Sequence, residues 1–106
     1  MSRMDLPGQY VNVRKKYPQL MEALDGLGDV VSHQGPIDEK NSHLIRMAAA
    51  AAIRSEGAVH SHARRALQSG ATPEEVNQAI ILLTSTIGFP NVSAALTWAD
   101  DILQDR

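Results

Sequence analysis

Apolar residues recur along most of this 106-residue chain at steps of three and four, and no segment sustains an alternation of period two. Such steps line up side chains on one side of a helix, whereas a half-buried strand alternates in and out. The pattern therefore predicts an all-α fold, one domain over residues 1–106 with about five to six helices. Residues 1–17 carry a loose helical spacing through Leu6, Tyr10 and Val13 or Arg14, with Pro7 suited to a first turn. Pro18 opens a second helix to about residue 33, with Leu20, Leu24, Leu27, Val30 and Val31 as its apolar stripe. His33-Gln34-Gly35-Pro36 stops it, since glycine accepts a left-handed cap and proline cannot continue the ladder.

Asp38 is placed to cap a third helix, from residue 39 to about 54, whose buried stripe reads Leu44, Met47 or Ala48, and Ala51. At the same spacing the stripe continues through Ser55, Ala58, His62, Arg65 or Ala66, and Ser69, so Ser55, Ala58 and His62 share one face. One helix from 39 to 69 is too long for so small a chain, and Ser55 with Gly57 marks a break and restart. That break sets Ser55 to Ala58 at a helix N-terminus, where free amides favour anions. Gly70 ends this helix, and Thr72-Pro73-Glu74-Glu75 starts the next with a capping box. Val76, Ala79, Ile80, Leu83 and Ile87 form its core face. Gly88-Phe89-Pro90 turns the chain, and Val92, Ala95, Leu96, Ala99, Ile102 and Leu103 repeat the pattern.

Charge and composition narrow the function. Ten Lys and Arg against twelve Asp and Glu leave a net charge of −2 with histidine neutral. That speaks against nucleic acid or an anionic membrane as the partner, because both reward concentrated positive charge. The longest wholly apolar run, residues 47–53, is far short of the roughly twenty residues a membrane span needs, and the opening MSRMDLPGQY has no signal-peptide core. No cysteine is present, which removes thiolate and disulfide chemistry and fits a reducing cytoplasm. Aromatic residues are few (Tyr10, Tyr17, Phe89, Trp98), so a core of smaller side chains gains from burying a further face against copies of itself.

The candidate chemistry gathers in EGAVHSHARRALQSG, residues 56–70. His60 and His62 lie two apart, about 200° around a helix, and so point apart rather than toward one ion. Glu56 and His60 have helical metal spacing, but two ligands do not complete a site, and neither a metal nor another cofactor is expected. His62 falls on the apolar stripe: it is either a core histidine with satisfied nitrogens or a general acid or base. Glu56 has a plain reading as a first-turn helix residue, Ser55 as an N-cap, and Arg54, Arg64 and Arg65 as solvated surface or as stems covering apolar area.

The run from about residue 35 to 103 resembles the carboxymuconolactone decarboxylase family, which also contains the alkylhydroperoxidase D proteins. The matching pieces are His62-x3-Ala66-Leu67-x2-Gly70-Ala71-Thr72-Pro73-Glu74-Glu75 and Gly88-Phe89-Pro90. The resemblance implies a compact all-helical fold assembled as a trimer or hexamer, with sites near subunit contacts. The peroxidase branch uses a Glu, then Cys-x-x-Cys, then a His. On this chain the His is His62, the cysteine positions are Ser55 and Ala58, and the Glu position is about His43. Neither Ser nor Ala supplies a thiolate, so dithiol peroxide reduction is excluded. The cysteine-free branch resembles decarboxylases acting on a lactone with two carboxylates. That likeness implies His62 as the acid–base residue, His43 orienting it or sharing its proton, and Glu56 as a further candidate. It also implies Ser55 and Ala58 lining the substrate site, and Arg54 or Arg64 holding a carboxylate. The alternative within the family is a non-catalytic oligomeric binding or scaffold protein.

Overall fold

The computed structural model describes residues 6–105 and is helical throughout, with no strand among them. The first five residues of the signal-peptide and N-terminal helix readings lie outside that range. Seven helices follow in order: α1 (Gly8–Lys16), α2 (Pro18–Ser32), α3 (Glu39–Ala52), α4 (Glu56–Gln68), α5 (Pro73–Ile81), the single-turn α6 (Thr84–Ile87) and α7 (Phe89–Asp105).

The α3 and α4 helices form the most extensive pair, and α7 and α5 close over them. The core between them is built from small side chains with a few larger ones: Met47, Ala50 and Ala51 of α3, Val59, Ala63 and Ala66 of α4, Val76 and Ile80 of α5, and Val92, Ala95, Ala99 and Ile102 of α7. Alanine at so many contacts lets the helix axes approach closely, which is how a chain poor in aromatics reaches close packing.

The cap chemistry follows the sequence. Asp38 accepts from the backbone N–H of Asn41. Thr72 and Glu75 exchange both bonds of the capping box, at 3.1 and 2.9 Å. Both α3 and α4 end in the same way: the amide two residues past the cap reaches the third carbonyl back from the helix end, Ser55 to Ala50 and Ala71 to Ala66, each at 2.9 Å. This closure needs a left-handed residue just past the cap. At α4 it is Gly70, with φ of 101°; at α3 it is Arg54, with φ of 58°. A non-glycine residue there costs about 1 kcal/mol. Arg54 offsets part of it by donating to Asn91 and lying 5.7 Å over the Trp98 ring, which pins the α3–α4 turn to α7.

Three expectations are corrected. The α2 stripe is not buried: only Met21 is covered, while Leu20, Leu24, Leu27, Val30 and Val31 all stand about half exposed or more. Among the described residues the α2 helix packs extensively only on α1, which leaves its apolar face largely uncovered. The buried face of α4 runs through Val59, Ala63 and Ala66; Ala66 was on the expected line, but Val59 and Ala63 lie one position round from Ala58 and His62. The Ser55–Ala58–His62 line thus runs along the edge of the core, and all three are partly buried. Finally, the helix expected to run from Val76 through Ile87 breaks, because the Thr84 hydroxyl takes the Ile81 carbonyl at 2.6 Å. Its core face survives the break: Val76 and Ile80 are buried, and Ala79, Leu83 and Ile87 pack against the core.

Candidate functional site

The sharpest chemical feature is a contact between two histidines from the central helix pair. Nδ1 of His43 on α3 and Nδ1 of His62 on α4 lie 3.2 Å apart, with the rings stacked at 5.4 Å between centroids. His43 is buried and His62 is half-buried. A bond between two like nitrogens requires one to carry the proton and the other to accept it.

Glu39 fixes which. Its carboxylate stands 4.0 Å from Nε2 of His43, one helical turn away. That charge favours a proton on Nε2 of His43, which leaves Nδ1 of His43 as the acceptor and Nδ1–H of His62 as the donor. Nε2 of His62 is then a bare lone pair. It has no partner among the described residues, and every sealed side-chain nitrogen or oxygen there is satisfied, so it is open to solvent. The hydrogen-bonded part of this arrangement is the imidazole pair, with its basic end outward and the Glu39 carboxylate nearby.

The surroundings hold both rings neutral. Burial, then Arg65 and Arg46, lower the pKa of His43 below the ordinary 6.5, against a smaller pull upward from Glu39. The pKa of His62 is pushed down to about 4, chiefly by burial, then by Arg65, His43, Arg46 and Arg64. At neutral pH the pair is therefore a base and not an acid.

His43, Arg46 and Arg65 open onto a cleft of about 520 Å³ between α2, α3 and α4. Leu24, Asp25, Gly28, Asp29 and Ser32 form its α2 wall, Glu39 joins the α3 wall, and Gln68 and Ser69 continue the α4 wall. Arg46 donates to the Ser32 hydroxyl at 2.8 Å, which anchors the end of α2 beside the pair. Asp25 is held by a two-pronged bond from Arg14 at 3.0 and 3.1 Å, which also lowers its pKa. Asp29 and Glu39 are the remaining acids of the wall.

Of the residues expected from sequence, His43 and His62 are brought together, with Ser55 and Ala58 on the same side of α4 as His62. Arg54 is committed to Asn91 and Trp98. Glu56 is exposed in the first turn of α4. Ser55 occupies the N-cap position of α4 without a side-chain cap bond. Arg64 is buried and lines a different cleft. His60 pairs with Asp101 of α7 at 3.0 Å, away from His62. No group of three or more His, Cys, Asp and Glu residues is placed to hold a metal among the described residues. No helix there is long and apolar enough to cross a membrane.

Arg46 and Arg65 were not legible as site residues from motif alone, yet the signal was present. Each follows its histidine by three residues, His43-x2-Arg46 and His62-x2-Arg65, so each arginine shares a helix face with its ring.

A family model described as the carboxymuconolactone decarboxylase family matches residues 18–101. An uncharacterised protein of Methanocaldococcus jannaschii is 29% identical over 94 residues, covering 89% of this chain and 88% of that protein. A crystal structure of the apo form of a carboxymuconolactone decarboxylase family protein from Legionella pneumophila superposes with a TM-score of 0.77. The two are 26% identical, and the match covers 91% of this chain and 86% of the other.

Proposed function

The chain belongs to the carboxymuconolactone decarboxylase family, and from that premise we propose that it is a cytoplasmic, homo-oligomeric enzyme that moves a proton on a small acidic or lactone metabolite. The observation that carries this reading is the His43–His62 contact at 3.2 Å, backed by Glu39 and flanked by Arg46 and Arg65.

In the resting state His62 is neutral and its Nε2 accepts a proton. A substrate carboxylate settling against Arg46 and Arg65 offsets the cationic field that, together with burial, keeps the pair deprotonated. Its own negative charge raises the pair's proton affinity further. Binding thus turns a base into a loaded acid. When the bond to the leaving carboxylate breaks, its electron pair passes into the conjugated unsaturation of the substrate. The proton on His62 is delivered to carbon, His43 and Glu39 hold the ring in register, and carbon dioxide departs. Thiol peroxidation has no atoms to carry it, since no cysteine is present.

Turnover of carboxymuconolactone, followed as carbon dioxide release, tests the reading. Activity in the intact protein that falls by about a hundredfold or more in His62→Ala supports it. The absence of turnover, together with unchanged ligand binding in His62→Ala, overturns it.

A second observation favours assembly as part of this function. Leu24, Leu27, Val30 and Val31 on α2, with Ile37, Ile45 and Leu82 around an apolar groove beside α3, are each about half exposed or more. Apolar surface on this scale marks an interface. A trimer or hexamer would cover it and enclose the cleft behind α2. Should catalysis fail while the oligomer stands, the chain is a binding or scaffold member of its family.

A further inference from the structure

Arg64 does not line the cleft of the histidine pair. Two positions beyond His62 on α4, it points to the other side of the helix. There it lines a second cleft, of about 510 Å³, closed on its far side by Leu6, Pro7 and Tyr10. The side chain is 94% covered, from a relative exposure of 6%, and makes no hydrogen bond or ion pair among the described residues. A guanidinium is charged at any pH a protein meets, and a covered charge without a counter-charge is costly. Burial and the neighbouring Arg65 accordingly lower its pKa. None of its nitrogens is both sealed and unsatisfied, so the uncompensated donors face the opening.

The wall chemistry matches that demand. Arg65 also lines this cleft, and among the described residues no Asp or Glu does, in contrast to the three acids around the first. The acid nearest to this region in the bonding pattern, Asp101, is already taken by His60. Ser61 adds a hydroxyl. Leu6, Pro7 and Tyr10 add an apolar wall, and Gly57 leaves open space, since a Cβ built there would meet nothing within 4 Å.

We propose that the cleft between α1 and α4 is a binding site for a small organic carboxylate, its anionic end held by Arg64 with Arg65 and its apolar body against Pro7 and Tyr10. A planar carboxylate can take two parallel bonds from a guanidinium, and the volume suits a single-ring acid. The site is separate from the histidine pair, although Arg65 lines both clefts.

The test is calorimetric and NMR titration of the intact protein with benzoate, benzamide and inorganic phosphate. Benzoate is expected to bind saturably and to shift the Tyr10, Ser61 and Arg64 amides. Benzamide, which lacks the charge, should bind about tenfold to a hundredfold more weakly. Arg64→Gln should reduce benzoate affinity by a similar factor. Because that change alters a covered position, Gly57→Leu provides a second variant: it projects a side chain into the open space and improves helix propensity, and it too should block benzoate. His62→Gln should leave benzoate affinity unchanged, which separates this site from the proposed catalytic one. Equal binding of benzamide, unaltered binding in Gly57→Leu, or benzoate shifts confined to His43 and Arg46 would overturn the proposal. Phosphate binding as tight as benzoate would overturn the apolar half of the assignment.

Discussion

Lowering the pH from 6.5 to 4.5 should destabilise the protein through the histidine pair before any carboxylate contributes. The free imidazole of an unfolded chain titrates near 6.5, whereas His62 in the fold is pushed down to about 4, and His43 is also lowered. Over this window the unfolded state binds a proton that the folded state refuses, so stability is complete above 6.5 and is lost as the pH falls toward 4. Glu75 and Asp25, whose pKa values are lowered from 4.5 and 3.8, act in the same direction only below those values, which leaves the window to the histidines. One proton over two pH units is worth at most about 2.7 kcal/mol, and the partial exposure of His62 reduces this to roughly 1–2 kcal/mol. For a domain of this length that is a fall in Tm of roughly 5–15 °C. Differential scanning calorimetry across the window measures it. His62→Gln, which keeps a polar group beside His43 but does not titrate, should remove most of the slope. Because the rings share a proton, ¹H–¹³C NMR of the histidine side chains should show the pair taking up its first proton well below 6.5. A midpoint near 6.5, or an equal slope in His62→Gln, would refute the reasoning.

Other consequences follow from separate parts of the molecule. Arg65→Gln removes the largest coulombic cause acting on both rings, so the histidine titration should move upward, readable in the same NMR experiment; no movement would show that burial acts alone. Thr72→Ala breaks the capping box of α5 and should cost about 1 kcal/mol, a fall in Tm of roughly 4–8 °C. At position 54, Ala keeps the left-handed strain and loses both tethers, while Gly loses the tethers but relieves the strain, so Arg54→Gly should exceed Arg54→Ala in stability by about 1 kcal/mol in urea unfolding. Leu27→Asp on the uncovered face of α2 should lower the mass seen by light scattering while circular dichroism stays helical; an unchanged mass would place the interface elsewhere.

How far the sequence reaches into this fold depends on where each element's stabilising partner lies. Local signals were reliable where the partner is a few residues away. The Asp38 cap, the Thr72–Glu75 box and the left-handed Gly70 all rest on bonds closed within five residues. The break at Ser55 was legible for the same reason, although the residue that turns the chain there is Arg54, held by contacts on α7 that no local pattern shows. The α2 stripe misled because its spacing says only that one face is apolar. It does not say that this chain owns the surface that covers it. Leu24 and Leu27 look like core residues in sequence and lie about half exposed or more in the fold.

The site shows the same division between helix phase and tertiary contact. Spacing put Ser55, Ala58 and His62 on one face, and they do share one, but the face is the margin of the core and not its centre. A difference of one position, about 100° of rotation, decides whether His62 is a packed core residue or one with an open ring nitrogen. Val59 and Ala63 take the buried line, and His62 is left at the edge with Nδ1 on His43 and Nε2 open. Nothing in the α4 sequence alone distinguishes those outcomes, because the α3 helix sets the phase by presenting Met47, Ala50 and Ala51 to Val59 and Ala63. The repeated His-x2-Arg spacing is the one sequence feature that anticipates the result. A histidine packed in a core has no use for a cation on its own face. Two such pairs on facing helices bring two guanidinium groups to bear on two adjoining rings, and the arginines add to burial in holding those rings deprotonated.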